Sequence, residues 1–444
     1  MLQTNESYLN INDPVSIDDS VYMDDEALFE PVNTNTYNTV GSEIIINIQN
    51  ADSYYRPSES RLVIEGELVK LADGTRYANG DRIGFTHNGP MLLFSLFQYQ
   101  LNGNTIETIQ NPGHASLMKG MCSYSDDYSK SSGLNMFWLK DTNVGSTDAI
   151  IDANIGYLGR KDLLLGNATI QSNTIGAFSV SIPLSHIFGF CEDYDKVLYG
   201  CKHSLRMIRG SDSAAIFRSS GTNPGNGKLN ITRIAWYIPQ IRPSIQIEQT
   251  LLNMINNKQS IDVAFRSRQF DSIAVPIAQS FSWRLSVQTG TEKPRWILLA
   301  FNSPNPSQAS NNAVYLHSNL TNAYVTINSA DNRYPRVDIT TSFADNLMNH
   351  AYYKFAEFQK KYYGFDKITT GSQVTPLEYR SLYPIFVFDI RKQSERLKET
   401  VSDITIKTTF AANPAANTMA YALVLSDRLL KLQSDGNKFS VIYN

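Results

Sequence analysis

The chain has 444 residues, 42 % hydrophobic and 18 % charged, with 24 Tyr and 21 Phe. Low charge with many aromatics excludes a disordered chain, and the length exceeds the roughly 250–300 residues at which one core stops growing, so two domains are expected. No Lys or Arg precedes Arg56, so the first 55 residues carry a net −10 and the rest +7; such a start excludes an arm that wraps nucleic-acid phosphates or settles on an anionic bilayer.

Residues 1–40 read as an extended acidic arm whose Leu28, Phe29 and Val32 are apolar enough to dock on a neighbouring copy or another partner. A first β domain is expected over 41–240. Ile44, Ile46 and Ile48 recur with period two, as do Leu62, Ile64 and Gly66, the signature of half-buried strands. Asp73-Gly74 and Asn79-Gly80 mark turns. The apolar run Met91–Leu101 predicts a strand buried on both faces, reversed by Asn102-Gly103 into Thr105–Ile109. Residues 111–175 read as loops with a short helix near His114–Met121, before alternation returns at Phe178, Val180 and Ile182. The domain closes with Leu229, Ile231 and Arg233 on one face and then Ile234, Trp236 and Ile238.

Pro239 and Pro243 interrupt the strand pattern, Ser244 can cap a helix begun at Ile245, and Ile247, Leu251 and Ile255 recur at helical spacing. Residues 241–258 are therefore expected to be a helical linker. A second β domain is expected over 259–444, with strands at Ile261–Phe265, Phe281–Val287, Arg295–Phe301, Ala323–Ile327, Asp403–Phe410, Met419–Leu425 and Phe439–Tyr443. Leu347, Ala351, Phe355, Phe358 and Tyr362 mark one amphipathic helix inside it.

A long internal repeat supports the two-domain division. Pro183-Leu184 opens an aromatic turn with Phe188-Gly-Phe190, a charged loop and an alternating run; Pro376-Leu377 opens another with Phe386-Val-Phe388, the charged stretch Asp389–Lys398 and the run Asp403–Phe410. The Pro-Leu pairs lie 193 residues apart, a domain-sized period rather than that of a solenoid. Two kindred sandwiches with separate cores, each of roughly eight short strands, are the expected architecture.

The search for chemistry is largely negative. There is no phosphate-cradling Gly-rich loop, Gly-x-Ser-x-Gly elbow, His-Glu-x-x-His or dinucleotide fingerprint. Cys122, Cys191 and Cys201 are too few for a disulfide framework, and Cys191, Cys201 and His203 match no common zinc spacing, so buried small hydrophobes are the expected role of the cysteines. Glu192, Asp193 and Asp195, like Asp126 and Asp127, read as solvated turn acids, with Lys196 and Arg160 near enough to neutralise the former group. The histidines 87, 114, 186, 203, 317 and 350 show no spacing that suggests a base. Arg266, Arg268 and Arg284 on strand-like segments fit ion pairs at a subunit contact better than a nucleic-acid surface. No secretory signal is evident, so the sequons at Asn5, Asn167, Asn230 and Asn319 are read as chance. No catalytic, metal-binding or cofactor residues are assigned.

Several segments resemble double jelly-roll major capsid proteins, in the group carried by Polinton-like and adintovirus-like DNA elements and viruses of the adenovirus lineage. They are Pro183 through Arg209, Ala215-Ile-Phe-Arg218, Phe265-Arg-Ser-Arg-Gln-Phe-Asp271, Pro294-Arg-Trp-Ile-Leu-Leu-Ala-Phe301, Tyr383-Pro-Ile-Phe-Val-Phe-Asp389 with Gln393 through Lys398, and Ser434-Asp-Gly436. The resemblance covers residues 180 to the end; residues 1–175 match in pattern alone. It implies an all-β chain of two tandem eight-stranded antiparallel jelly-roll sandwiches with a few short helices in loops. It also implies a non-enzymatic protein forming homotrimeric, pseudo-hexagonal capsomers in an icosahedral shell around double-stranded DNA. Partners so implied are neighbouring capsomers, penton and other minor capsid proteins, with no sequence-specific nucleic-acid binding, no cofactor, and membrane contact left open. Residues 111–175 and 302–345 are the expected outer loops. Deleting residues 1–40 is expected to leave trimers but impair shell assembly. The rival reading is a carbohydrate-binding or glycan-hydrolysing protein, since β sandwiches serve those functions too.

Overall fold

In the computed structural model the described residues are 20–33, 37–143, 153–166, 175–286, 292–364, 371–392, 403–434 and 439–443. Asn5, Asn167, Gln393 through Lys398 and Asp435-Gly436 lie outside them. Strands in the first half are β1 (Val21–Phe29), β2 (Glu43–Ile48), β3 (Tyr54–Tyr55), β4 (Arg61–Lys70), β5 (Ile83–Phe85), β6 (Phe94–Leu101), β7 (Asn104–Gln110), β8 (Ala177–Pro183), β9 (His203–Arg209), β10 (Ile216–Arg218) and β11 (Gly227–Pro243). The second half holds β12 (Ser260–Ala274), β13 (Ser280–Arg284), β14 (Glu292–Asn302), β15 (Leu320–Ile327), β16 (Ser329–Thr340), β17 (Phe386–Asp389), β18 (Ile404–Phe410), β19 (Met419–Ser434) and β20 (Phe439–Tyr443).

Strand order shows the architecture. One sheet runs β1-β11-β4-β8 and its companion β2-β9-β6-β7; in the second half the orders are β12-β19-β14-β17 and β13-β18-β15-β16. The first sheet of each half takes the first, last, third and sixth of eight main strands, and the companion the remaining four. This is the jelly-roll order, present twice as expected. Strands β3 and β20 add to β11 and β19, and β5 pairs with β10 in a small separate ribbon.

The alternating residues face inward as their period requires. Ile44, Ile46 and Ile48 of β2 and Leu205 and Met207 of β9 are buried against Leu62, Ile64 and Trp236 from the opposite sheet. Strand β11 changes phase midway: Leu229 and Ile231 are buried, then Ile234, Trp236 and Ile238. A register shift between Ile231 and Arg233 supplies the extra residue, a bulge that returns the apolar set to one core.

Four expectations need correction. The acidic segment 1–40 is not an arm throughout, because Val21–Phe29 is the first main strand of the first sandwich and pairs antiparallel with β11. Met91–Leu101 is divided between a one-turn helix, Gly89–Leu92, and β6, whose side chains alternate between core and surface rather than being buried on both faces. Residues 302–345 are not simply an outer loop, since they hold β15 and β16. The two Phe-x-Phe motifs are not equivalent: Phe386 and Phe388 lie in β17, whereas Phe188 and Phe190 lie beyond its counterpart β8, at the start of and within the helix Gly189–Asp193. The repeat exists in topology and not in that motif.

The expected amphipathic helix is present as Asn349–Tyr363, with Ala351, Phe355, Phe358 and Tyr362 buried, and Pro112–Ser123 forms a second. Leu347 precedes the former and is exposed. Nor are the two cores separate. Phe190 meets Phe265 edge-on at 5.6 Å, and buried apolar residues from both sandwiches form one contiguous cluster.

Candidate functional site: the seam between the sandwiches

The densest buried polar chemistry lies where the two sandwiches meet. After β8 the chain makes two short helices, Leu184–Ile187 and Gly189–Asp193, which pack against β12 of the second sandwich. Gly189 is required there, because a Cβ on it would lie 1.7 Å from the Arg266 carbonyl oxygen.

The helix carries Glu192 and Asp193 into the seam. Glu192 accepts hydrogen bonds from Arg268 Nη2 at 2.9 Å, Tyr362 Oη at 3.1 Å and Tyr363 Oη at 2.6 Å, and pairs with Lys119. Burial by itself would raise the Glu192 carboxyl, but the Lys119 and Arg268 cations override it and hold the group far below the usual carboxylate range. Burial pulls the Lys119 ammonium down to about 8, with the Glu192 carboxylate opposing. Asp193 accepts from the backbone N–H of Arg266 at 2.7 Å and from its Nε at 2.8 Å, while that guanidinium stacks 3.6 Å from the Tyr362 ring centroid.

Arg268 completes the join. Its Nη1 donates to the His186 and Ile187 carbonyls at 2.6 and 2.7 Å, and its backbone N–H donates to Glu107 at 2.7 Å. Glu107, fully enclosed, also accepts from the Gly189 and Phe190 amides at 3.2 and 3.0 Å. Burial pushes its carboxyl up to about 7, against the pull of Arg268 and those three amides. Farther along, Arg160 pairs with Asp141 at 2.7 Å, both fully buried, and Asp141 accepts from Asn311 of the second sandwich at 3.0 Å. Lys140 pairs with Glu378 at 2.5 Å.

These contacts overturn two readings. Glu192 and Asp193 are not solvated turn acids; they are buried partners of Lys119, Arg266 and Arg268. Arg266 and Arg268 are indeed ion-paired, but inside one chain rather than between subunits. Arg284 pairs with Asp403 at the surface, 2.8 Å away, while Asp195 remains exposed beside Lys196 and Asp126 beside Lys130. Arg160 neutralises Asp141, not the Glu192 group. The cysteines are all free and buried, and His203 Nδ1 shares a hydrogen bond with Tyr99 Oη at 2.7 Å. Sequence reasoning missed Lys119, Glu107 and Asp141, whose partners are remote in the chain. The one local signal was a charge placed beside apolar core residues, as Lys119 is beside Met118 and Met121.

With the geometry established, kinship is clear. Residues 139–430 match the double jelly roll-like domain family, and the chain belongs to that family. A chain of the Sputnik virophage cryo-EM structure aligns over 100 % of this chain and 93 % of its own, with a TM-score of 0.60 at 12 % identity. The mavirus major capsid protein aligns over 100 % and 95 %, with 0.56 at 13 % identity. The Faustovirus major capsid protein aligns over 98 % and 93 %, with 0.54 at 10 % identity. At these identities the shared property is the fold. No curated protein matches by sequence.

Proposed function

We propose that this chain is a viral major capsid protein, a structural subunit whose work is mutual packing rather than turnover. The observation that carries the reading is the duplicated strand order, two sandwiches locked side by side by a buried seam. Two near-equivalent wedges per chain let three chains present a pseudo-hexagonal outline, which tiles a shell. The capsid proteins of mavirus and Faustovirus, alike in fold over nearly their whole length, support it. The finer reading is a homotrimeric capsomer in an icosahedral virion shell around double-stranded DNA, of the Polinton-like group. Penton and minor capsid proteins are the further partners, and genome contact falls to other components.

Size-exclusion chromatography with light scattering, followed by negative-stain microscopy, tests it. Trimers with a pseudo-hexagonal outline, or closed particles, are expected. A monomer that binds a glycan array or releases sugar would overturn the proposal in favour of the carbohydrate reading.

A further inference from the structure

The helix Ile245–Asn256 joins the two sandwiches, yet none of its residues is buried. Ile245 is 76 % exposed and Met254 40 %. Beside Leu251, Met254 and Ile255 runs an apolar groove walled by Tyr54, Tyr199 and Phe439. A helix whose apolar stripe faces water is incomplete as it stands, because surface helices owe their stability to burying that stripe.

The chain itself supplies a suitable cover. The described fold begins at Ser20, whose carbonyl accepts the Ser244 N–H at 2.9 Å, so the preceding 19 residues start from the first turn of this helix. Met254 lies ten residues along, about 15 Å at helical rise, whereas 19 extended residues reach roughly 60 Å. That stretch carries Leu9, Ile11, Val15 and Ile17 in period-two pairs and four carboxylates without a single Lys or Arg. The helix bears one charge, Glu248, and is flanked by the exposed cations Arg242 and Lys258. Apolar pairs match the groove, and acids match the two ends. Tethering raises the local concentration of the segment to about the millimolar range, which favours the same chain over a dilute second copy.

We propose that residues 1–19 fold back along the helix of their own chain and close the apolar groove. The inference is independent of the capsid reading. It is tested in the full-length protein by placing cysteine at Leu9, Ile11 or Val15 in turn, each combined with Met254→Cys, and oxidising mildly. At least one pair is expected to give an intrachain disulfide in a monomeric band. Deleting residues 1–19, which leaves β1 intact, is expected to speed amide exchange of 245–256 at least tenfold and to increase binding of an apolar dye. Interchain cross-links alone would overturn the proposal by assigning the groove to a second copy. Absence of any cross-link with unchanged exchange on deletion would overturn it by leaving the groove uncovered.

Discussion

Arg268 and Glu192 lie 76 residues apart in the chain and 2.9 Å apart in space, joining the second sandwich to a helix of the first. Both are withdrawn from water, and removing one partner of a buried pair strands the other. Arg268→Met is therefore expected to cost about 3–5 kcal/mol, read as a fall in the urea midpoint. Arg284→Met, removing a guanidinium whose side chain is 76 % exposed, is expected to leave that midpoint unchanged. Equal effects from the two substitutions would contradict the buried role of Arg268.

The same network makes the sandwiches one thermodynamic unit. Lys119, Glu107 and Asp141 of the first half and Arg268, Tyr363 and Asn311 of the second have partners across the seam, and Phe190 packs on Phe265. Calorimetry should give a single cooperative transition with calorimetric and van't Hoff enthalpies in agreement. Two resolved endotherms would show that the seam does not couple the halves.

Gly189 offers a local test of the seam geometry. A methyl group there would lie 1.7 Å from the Arg266 carbonyl, a backbone atom held in β12, whereas a Cβ on Gly80 meets nothing within 4 Å. Gly189→Ala is expected to lose about 3 kcal/mol or more, the upper range of overpacking costs. Gly80→Ala is expected to be neutral or slightly stabilising. Chemical denaturation of the pair of variants separates a close approach from a general intolerance of alanine.

Burial also sets a dependence on pH. Desolvation pulls His87 and His203 down to about 3 and His114 to about 4, with Arg160 adding to the effect at His87, so all three stay neutral in the fold. The unfolded chain takes up those protons near pH 6.5, so stability is full above that value and falls as pH drops toward 4, by up to about 3 kcal/mol per histidine. Glu192, held low, adds a further loss below about pH 4.5. Glu107, raised to about 7, has the opposite sign and stabilises toward acid, but is one group against three. Urea midpoints at pH 7, 5.5 and 4.5 should decline in that order, and His203→Gln should flatten the slope. A midpoint independent of pH would contradict neutral burial of the histidines.

What the sequence made legible was whatever depends on neighbours in the chain. Ile44, Ile46 and Ile48 declared β2 by period two, and Ala351, Phe355, Phe358 and Tyr362 declared the helix Asn349–Tyr363 by period near four. The bulge in β11 showed as a phase change between Ile231 and Ile234, visible before its cause. The seam was not legible, since Glu192 meets Lys119 and Tyr363 only after the chain has folded, 73 and 171 residues away. An acid in a short charged loop looks the same whether it is solvated or enclosed.

Strand β1 was hidden for a different reason. Val-Tyr-Met-Asp-Asp-Glu-Ala-Leu-Phe is an edge strand with most side chains exposed, so its pattern carries acids where a central strand carries apolar residues. Those acids are used: Glu26 pairs with Arg61 at 2.7 Å and Glu30 with Arg233 at 2.6 Å, while Phe29 meets Tyr55 edge-on at 6.2 Å. Deleting residues 1–40 therefore does more than remove an arm. It strips β1 from β11, leaves Arg61 and Arg233 without these partners, and opens the backbone of a 17-residue strand to other chains. The truncated protein is expected to lose stability and to self-associate irregularly, whereas removal of residues 1–19 alone should preserve the melting temperature within a few degrees. Light scattering and thermal melts of the two truncations separate these outcomes, and a well-behaved species from the longer deletion would mean that β1 contributes little to the first sandwich.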